Sequence, residues 1–166
     1  MARILVCVGT DHHPFERLVA WAERWQRAHP EHRVEVQHGH SRAPSAVAGI
    51  DFVGRAEMRS RYAAADVVVV SCGPGAVMDA RAAGRRPIVV PRLAALGEHV
   101  DDHQQAFAAL LHERGLAVAA TDVAALDDAV AAAVADPDTV RVDRVDPAPT
   151  GPARFTELVE GLLDRG

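Results

Sequence analysis

Two short apolar runs constrain this chain more than any other feature. Asp66 to Val70 reads DVVVV and Ile88 to Val90 reads IVV, with SCGPGAVMDARAAGRRP between them. A strand that is apolar at every position must be covered on both faces, as in a parallel sheet flanked by helices. The intervening segment offers a Gly-rich turn and then a helix, so the whole reads strand–turn–helix–strand. A strand that empties into such a turn is a common way to hold a phosphate.

The same alternation runs along the chain. RILVCV at residues 3–8 is a first strand. A helix follows it, with Pro14 expected at its first position and Phe15, Leu18, Val19, Ala22 and Trp25 recurring at helical spacing. RVEVQ from Arg33 alternates like a strand, HGHSRAPS is a loop, and GIDFV from Gly49 is a third strand. Met58–Ala64, Asp102–Arg114 and a segment from Thr121 or Asp122 to Ala135 read as helices, with Gly115 closing the second and LAVAA as a weak last strand. The fold class is therefore α/β, a Rossmann-like parallel sheet with helices on both faces. The expected organisation is a domain over residues 1–135, a Pro-rich connector over 136–152, and a terminal helix over 153–166 that packs on the domain or on a partner. Ligands of such sheets lie beyond the carboxyl ends of the strands. That edge collects GTDHH, the segment after DFV, SCGPG and PRLAALGEHVDDHQQ.

Composition narrows the function classes. The chain of 166 residues has a formal charge of −5, which argues against general nucleic-acid binding. Aromatics make up only 4%, so the core must come from Ala, Val and Leu. Cys7 and Cys72 stand far apart without a CxxC pattern and read as reduced, buried thiols of a cytosolic protein. The N-terminus enters a strand at once, so no signal peptide is expected, and no apolar run reaches membrane-span length. A soluble protein is expected, placed at a membrane only through a partner.

The Gly-rich loop does not fit a dinucleotide fingerprint. Gly73-Pro74-Gly75 gives GxG, but Met78 stands where the third glycine belongs, and the loop follows a late strand. No GxxxxGK sequence is present for a Walker loop. From the loop alone, anion binding by backbone N–H groups and a ligand-free tight turn both fit. Asp79 is placed to accept hydrogen bonds from two neighbouring hydroxyls of a ribose; alternatively it is a favourable acid in a first helical turn. Asp101, Asp102, His103, Gln104 and Gln105 open a helix with donors and acceptors suited to sugar hydroxyls, or simply with a cap and a solvated first turn. His12 and His13, after Gly9-Thr10, are candidates to neutralise a diphosphate or to move a proton, with helix capping as the plain alternative. His99 and His103 have zinc-like spacing, but Val100 replaces the glutamate of the hydrolase motif, and His38 and His40 lie in a polar loop, so no metal is expected.

Together these motifs resemble a known family. VCVGTDHHPFERLV resembles the start of the small soluble subunits of two-piece glycosyltransferases of the PssE type. SCGPGAVMDARAAGRRPIVVPR followed by DDHQQAFAALLHERG resembles the carboxyl-terminal half of family-28 glycosyltransferases. The resemblance covers most of residues 3–120 and implies the nucleotide-sugar half of a GT-B enzyme. By position it puts Gly9 and Thr10 near the diphosphate and the backbone around Val53 at the uracil. It puts Gly73, Gly75 and Ala76 below the diphosphate, Asp79 at the ribose, and Asp102, Gln104 and Gln105 at the donor sugar. Asp79 is one methylene shorter than the family's Glu, Cys72 stands where small subunits often have His, and Pro74 removes a backbone donor. The resemblance further implies an inverting transfer from a UDP-sugar without a bound metal or other cofactor. It implies a membrane-associated acceptor-binding partner of the PssD type and a polyprenyl-linked acceptor, in polysaccharide synthesis. A sugar-nucleotide-binding subunit without catalysis is the alternative.

Overall fold

The computed structural model describes residues 1–144. The expected helix at 153–166 and residues 145–152 of the Pro-rich connector lie outside the described residues. The chain forms β1 (Arg3–Cys7), α1 (Glu16–Ala28), β2 (Arg33–Gln37), β3 (Ala48–Ile50), α2 (Arg55–Ala64), β4 (Val67–Ser71), α3 (Pro74–Ala82), β5 (Ile88–Val90), α4 (His103–Glu113), β6 (Val118–Ala119) and α5 (Val123–Ala135). The strands lie in the order β3-β2-β1-β4-β5-β6. Every neighbouring pair is parallel, with Val6 opposite Val69 and Val70 opposite Val89 in the centre. Connections from β1 run one way along the sheet and those from β4 the other. The carboxyl ends of β1 and β4 therefore flank a crevice, the switch point at which such sheets bind ligands.

The all-apolar runs are explained by two cores. Ile4, Val6, Val67, Val69, Ile88 and Val90 point to one face, where they meet Leu18, Ala22 and Trp25 of α1 and Leu126 and Val130 of α5. Leu5, Cys7, Val68, Val70 and Val89 point to the other, against Tyr62 of α2, Val77 and Ala80 of α3, and Ala108 and Leu111 of α4. Alternate residues of a strand face opposite sides, so a strand covered by helices on both sides needs both registers apolar.

Several details differ from the sequence-based expectation. β3 ends at Ile50, so Asp51–Val53 fall outside the expected strand, and α2 begins at Arg55 rather than Met58. Pro14 does not open α1. The helix starts at Glu16, and Phe15 stands outside it with φ −118°. The reason is a contact from the loop after β2: Phe15 is fully buried and its N–H donates to Ser41 Oγ at 2.7 Å, which holds this residue out of the helix. Beyond α5, Pro137–Val140 form a 3₁₀ turn. Val140 is buried, and its carbonyl accepts from the Arg86 N–H at 2.8 Å, so the packed structure extends past Ala135. The α5 start is as expected, with Asp122 as the cap accepting from the Ala125 N–H at 2.8 Å.

Candidate functional site

The site is built on the loops at the carboxyl edge of the sheet. Gly9, two residues past β1, has φ +87°, a conformation that L side chains rarely adopt, and a Cβ there would lie 3.1 Å from Ser71 Oγ at the end of β4. Its backbone is tied by one side chain. Gln37 Oε1 accepts from the Gly9 N–H at 3.1 Å, and Gln37 Nε2 donates to the Gly9 carbonyl at 3.2 Å and to the Asp51 carbonyl at 2.8 Å. This buried amide brings the Gly9-Thr10 turn beside the segment carrying Val53. Thr10 is exposed and Val53 half-buried at that edge.

The start of α3 is open. Gly73 caps it without a side-chain hydrogen bond, and Pro74 is the first helical residue. The N–H groups of Gly75 and Ala76 stand at the second and third helical positions, where no helical carbonyl precedes them. A Cβ at Gly73 or Gly75 would meet nothing within 4 Å, and neither residue has a positive φ. The fold itself therefore does not require glycine at either position; the vacant space above the helix start does allow a ligand to approach the backbone. Asp79 is the sixth residue of α3, and the first turn carries no acid. The alternative in which Asp79 serves as a first-turn acid is thereby corrected. Its carboxylate is partly exposed and faces Arg55 NH2 of α2 at 3.7 Å.

A buried guanidinium organises the opposite side. Arg92 is 1% exposed. It donates to the carbonyls of Val8 at 2.7 Å, His13 at 2.8 Å and Glu98 at 2.9 Å, and lies over the Phe15 ring at 4.7 Å. Burial lowers its pKa, while Asp11 and Glu98 favour its charge. Glu98 is itself buried and takes both Arg17 Nε at 3.0 Å and Arg17 NH2 at 2.7 Å. Gln104 joins this network, since its Oε1 accepts from the Arg92 N–H at 3.0 Å. Asp102 Oδ1 accepts from the Ala94 N–H at 2.9 Å. Of the three residues expected at the donor sugar, Gln104 is buried and bracing a loop, Asp102 is exposed but engaged, and Gln105 is exposed.

His12 is exposed and His13 half-buried. Asp11 Oδ1 lies 2.7 Å from His13 Nδ1 and accepts from the His13 N–H at 2.8 Å. Burial pushes the Asp11 carboxyl up, but these two bonds and the Arg92 charge outweigh it and hold the group below its usual value. On its far side Asp11 Oδ2 lies 3.3 Å from His99 Nε2. Cys7 and Cys72 are buried free thiols, both pushed up to about 12 by burial, so neither is a nucleophile at neutral pH. Gln37, Arg92, Glu98 and Asp11 were not among the residues picked from the sequence. Each works through partners 28 or more residues away or through backbone atoms, for which local pattern gives no signal.

A parallel sheet with an open helix start and a glycine turn at its switch point defines a Rossmann-like α/β domain. Residues 3–144 match the family model described as glycosyltransferase family 28 C-terminal domain, and the chain belongs to that family. Solved structures agree in fold. CalG4, the calicheamicin glycosyltransferase, superposes with a TM-score of 0.60 at 23% identity, over 99% of this chain and 44% of that one. MurG of Acinetobacter baumannii gives 0.56 at 21% identity, over 84% and 42%. The solution structure of ALG13 gives 0.59 at 19% identity, over 96% and 95%. The chain thus spans less than half of the first two and nearly all of the third. No curated protein matches in sequence. Among the described residues, no helix is long and apolar enough to cross a membrane.

Proposed function

We propose that this chain is the donor-binding part of an inverting glycosyltransferase that uses a UDP-sugar. The observation that carries the reading is the unfilled start of α3, where two glycines that the fold does not demand leave backbone donors open at a switch-point crevice. Membership of the family supplies the reaction class. The diphosphate would sit on the Gly75 and Ala76 N–H groups beside Gly9 and Thr10. As the glycosidic bond breaks, charge grows on the diphosphate, and fixed dipoles at a helix start stabilise that state more than the ground state. Asp79, beyond the first turn, would take the ribose hydroxyls in place of Arg55, and the Val53 backbone would meet the uracil. Gln105 is the exposed amide left to read the sugar, with Asp102 beside it. His12 and His13 remain candidates for charge neutralisation or proton transfer at the diphosphate.

The acceptor site belongs to a second part. The partner we propose is a membrane-associated subunit of the PssD type that presents a polyprenyl-linked acceptor, in polysaccharide synthesis. The test is reconstitution of the chain with that partner, a lipid-linked acceptor and a panel of UDP-sugars. Transfer that falls sharply in Asp79→Ala and Gln105→Ala supports the reading. Transfer that survives both substitutions at wild-type rates refutes it. UDP binding without transfer in any pairing would make the chain a binding subunit only.

A further inference from the structure

A second set of ligand-bearing side chains lies where the loop after β5 enters α4. His99, Asp101 and His103 form a group whose ligand atoms, one from each residue, all lie within 4.8 Å of one another. His99 Nδ1 is 3.6 Å from Asp101 Oδ1. Two ligands of a tetrahedral zinc ion, each at about 2.0–2.1 Å from the metal, stand about 3.3 Å apart. The spacing therefore needs only small side-chain rotations to close on an ion. Asp101 and His103 are more than half exposed, which leaves an entry path and room for a water as fourth ligand.

The orientation of His99 is the independent observation. Its Nδ1 faces the Asp101 N–H at 3.4 Å, the side on which it would accept. Its Nε2 faces Asp11 Oδ2 at 3.3 Å, the side on which it would donate. In this tautomer the Nδ1 lone pair lies on the Asp101 side, where an ion would have to displace the long contact from the Asp101 N–H, while a carboxylate holds the other ring nitrogen. A carboxylate behind a histidine in this way is the usual outer partner of a metal-binding imidazole. Asp11 is in turn fixed by the His13 N–H and ring. Sequence spacing did not call for this, because Asp11 is 88 residues from His99 and reaches it only through the fold.

We propose that His99, Asp101 and His103 form a site for a zinc-class divalent cation, with Asp11 as the outer carboxylate that orients His99. Two imidazoles and one carboxylate favour zinc or its neighbours over magnesium and calcium, which take oxygen ligands. A bound ion would fix the end of the loop after β5 at the start of α4, with His99 also tied to Asp11 of the Gly9–Phe15 loop. The inference does not depend on the donor reading.

The test is titration of ZnCl2 into the EDTA-treated chain by calorimetry, with metal analysis after gel filtration. One zinc per chain is expected, with no comparable binding of MgCl2. His103→Ala should weaken binding at least tenfold, and Asp11→Asn by about 10- to 100-fold. His29→Ala, on a distant helix end, should leave it unchanged. Thermal unfolding in EDTA checks that each variant is folded, and because His103 is exposed, His103→Gln gives a second version of the same test. Co2+ should give visible bands in the wild type that His103→Gln loses. Failure to bind zinc saturably overturns the proposal. So does zinc binding that persists in His99→Ala/His103→Ala, or that falls equally in His29→Ala, which marks scattered surface histidines.

Discussion

Replacing Arg92 by methionine tests whether one buried cation holds the carboxyl edge of the sheet together. Methionine has similar reach and fills irregular apolar space, so the change removes hydrogen bonds with little change of volume. Three bonds from the guanidinium to the Val8, His13 and Glu98 carbonyls disappear. Each hydrogen bond to a charged group contributes about 1.5–3 kcal/mol net, for a gross loss of about 4.5–9 kcal/mol. Against that stands the cost of burying a guanidinium, several kcal/mol per ion, which the variant no longer bears. Glu98 keeps Arg17 as a partner, so its charge is not stranded. The balance is a destabilisation of about 3 kcal/mol, or a fall of about 6–12 °C in Tm at this chain length. The assay is reversible thermal unfolding followed by circular dichroism, with urea titration as a check. Arg92→Lys is the companion variant. An ammonium keeps the charge but lacks the planar fork that spans three carbonyls, so it should recover only part of the loss. A Tm within 2 °C of wild type for Arg92→Met, or full recovery by Arg92→Lys, would refute the account of Arg92 as a three-way tie.

Other expectations follow from the same geometry. Gly75→Ala has open space for its Cβ and a helical position, so it should be neutral or stabilising by up to about 1 kcal/mol, yet should weaken UDP binding measured by calorimetry; a clear loss of stability would show that the glycine serves the fold. Asp79→Ala and removal of the ligand's ribose 2′-hydroxyl should each weaken UDP binding about tenfold, and the two effects should not add; full additivity would separate Asp79 from the ribose. Glu23 is held at about 2, chiefly by its hydrogen bond to Arg42, with Ser45 and Ala46 assisting. Its folded pKa is below the ordinary 4.5, so its contribution is present above pH 4.5 and is lost as pH falls toward 2. Tm should drop through that window, and Glu23→Gln should show a lower plateau at neutral pH and a shallower acid drop; identical profiles would rule the contact out as a source of acid lability.

The sheet was legible because its signal is local. DVVVV and IVV declare burial on both faces without reference to any distant residue, and Gly9 marks a turn by composition alone. The helix entry at Pro14 was misplaced because the deciding contact, Ser41 Oγ on the Phe15 N–H, comes from 26 residues away. Gln104 shows part of the same limit inside the site. Only the fold reveals that the Arg92 N–H takes its carbonyl oxygen, which leaves its amide nitrogen as the group that could meet a ligand. Asp79 was the opposite case, since its distance from the helix start follows from where α3 begins. Arg92 escaped notice because arginine is ordinarily a surface residue, and nothing in PIVVPR announces a buried one.

Gln37 and Arg92 share a property that bears on how such a site can diversify. Gln37 bonds to the main chain of Gly9 and Asp51, and Arg92 to the main chain of Val8, His13 and Glu98. Neither reads the side chain of the residue it secures. Mutations at Asp51 or His13 can therefore alter what the edge presents to a substrate without cutting the ties that hold it in place. The framework is anchored through atoms common to all residues, so the loops can vary their chemistry while their course stays the same.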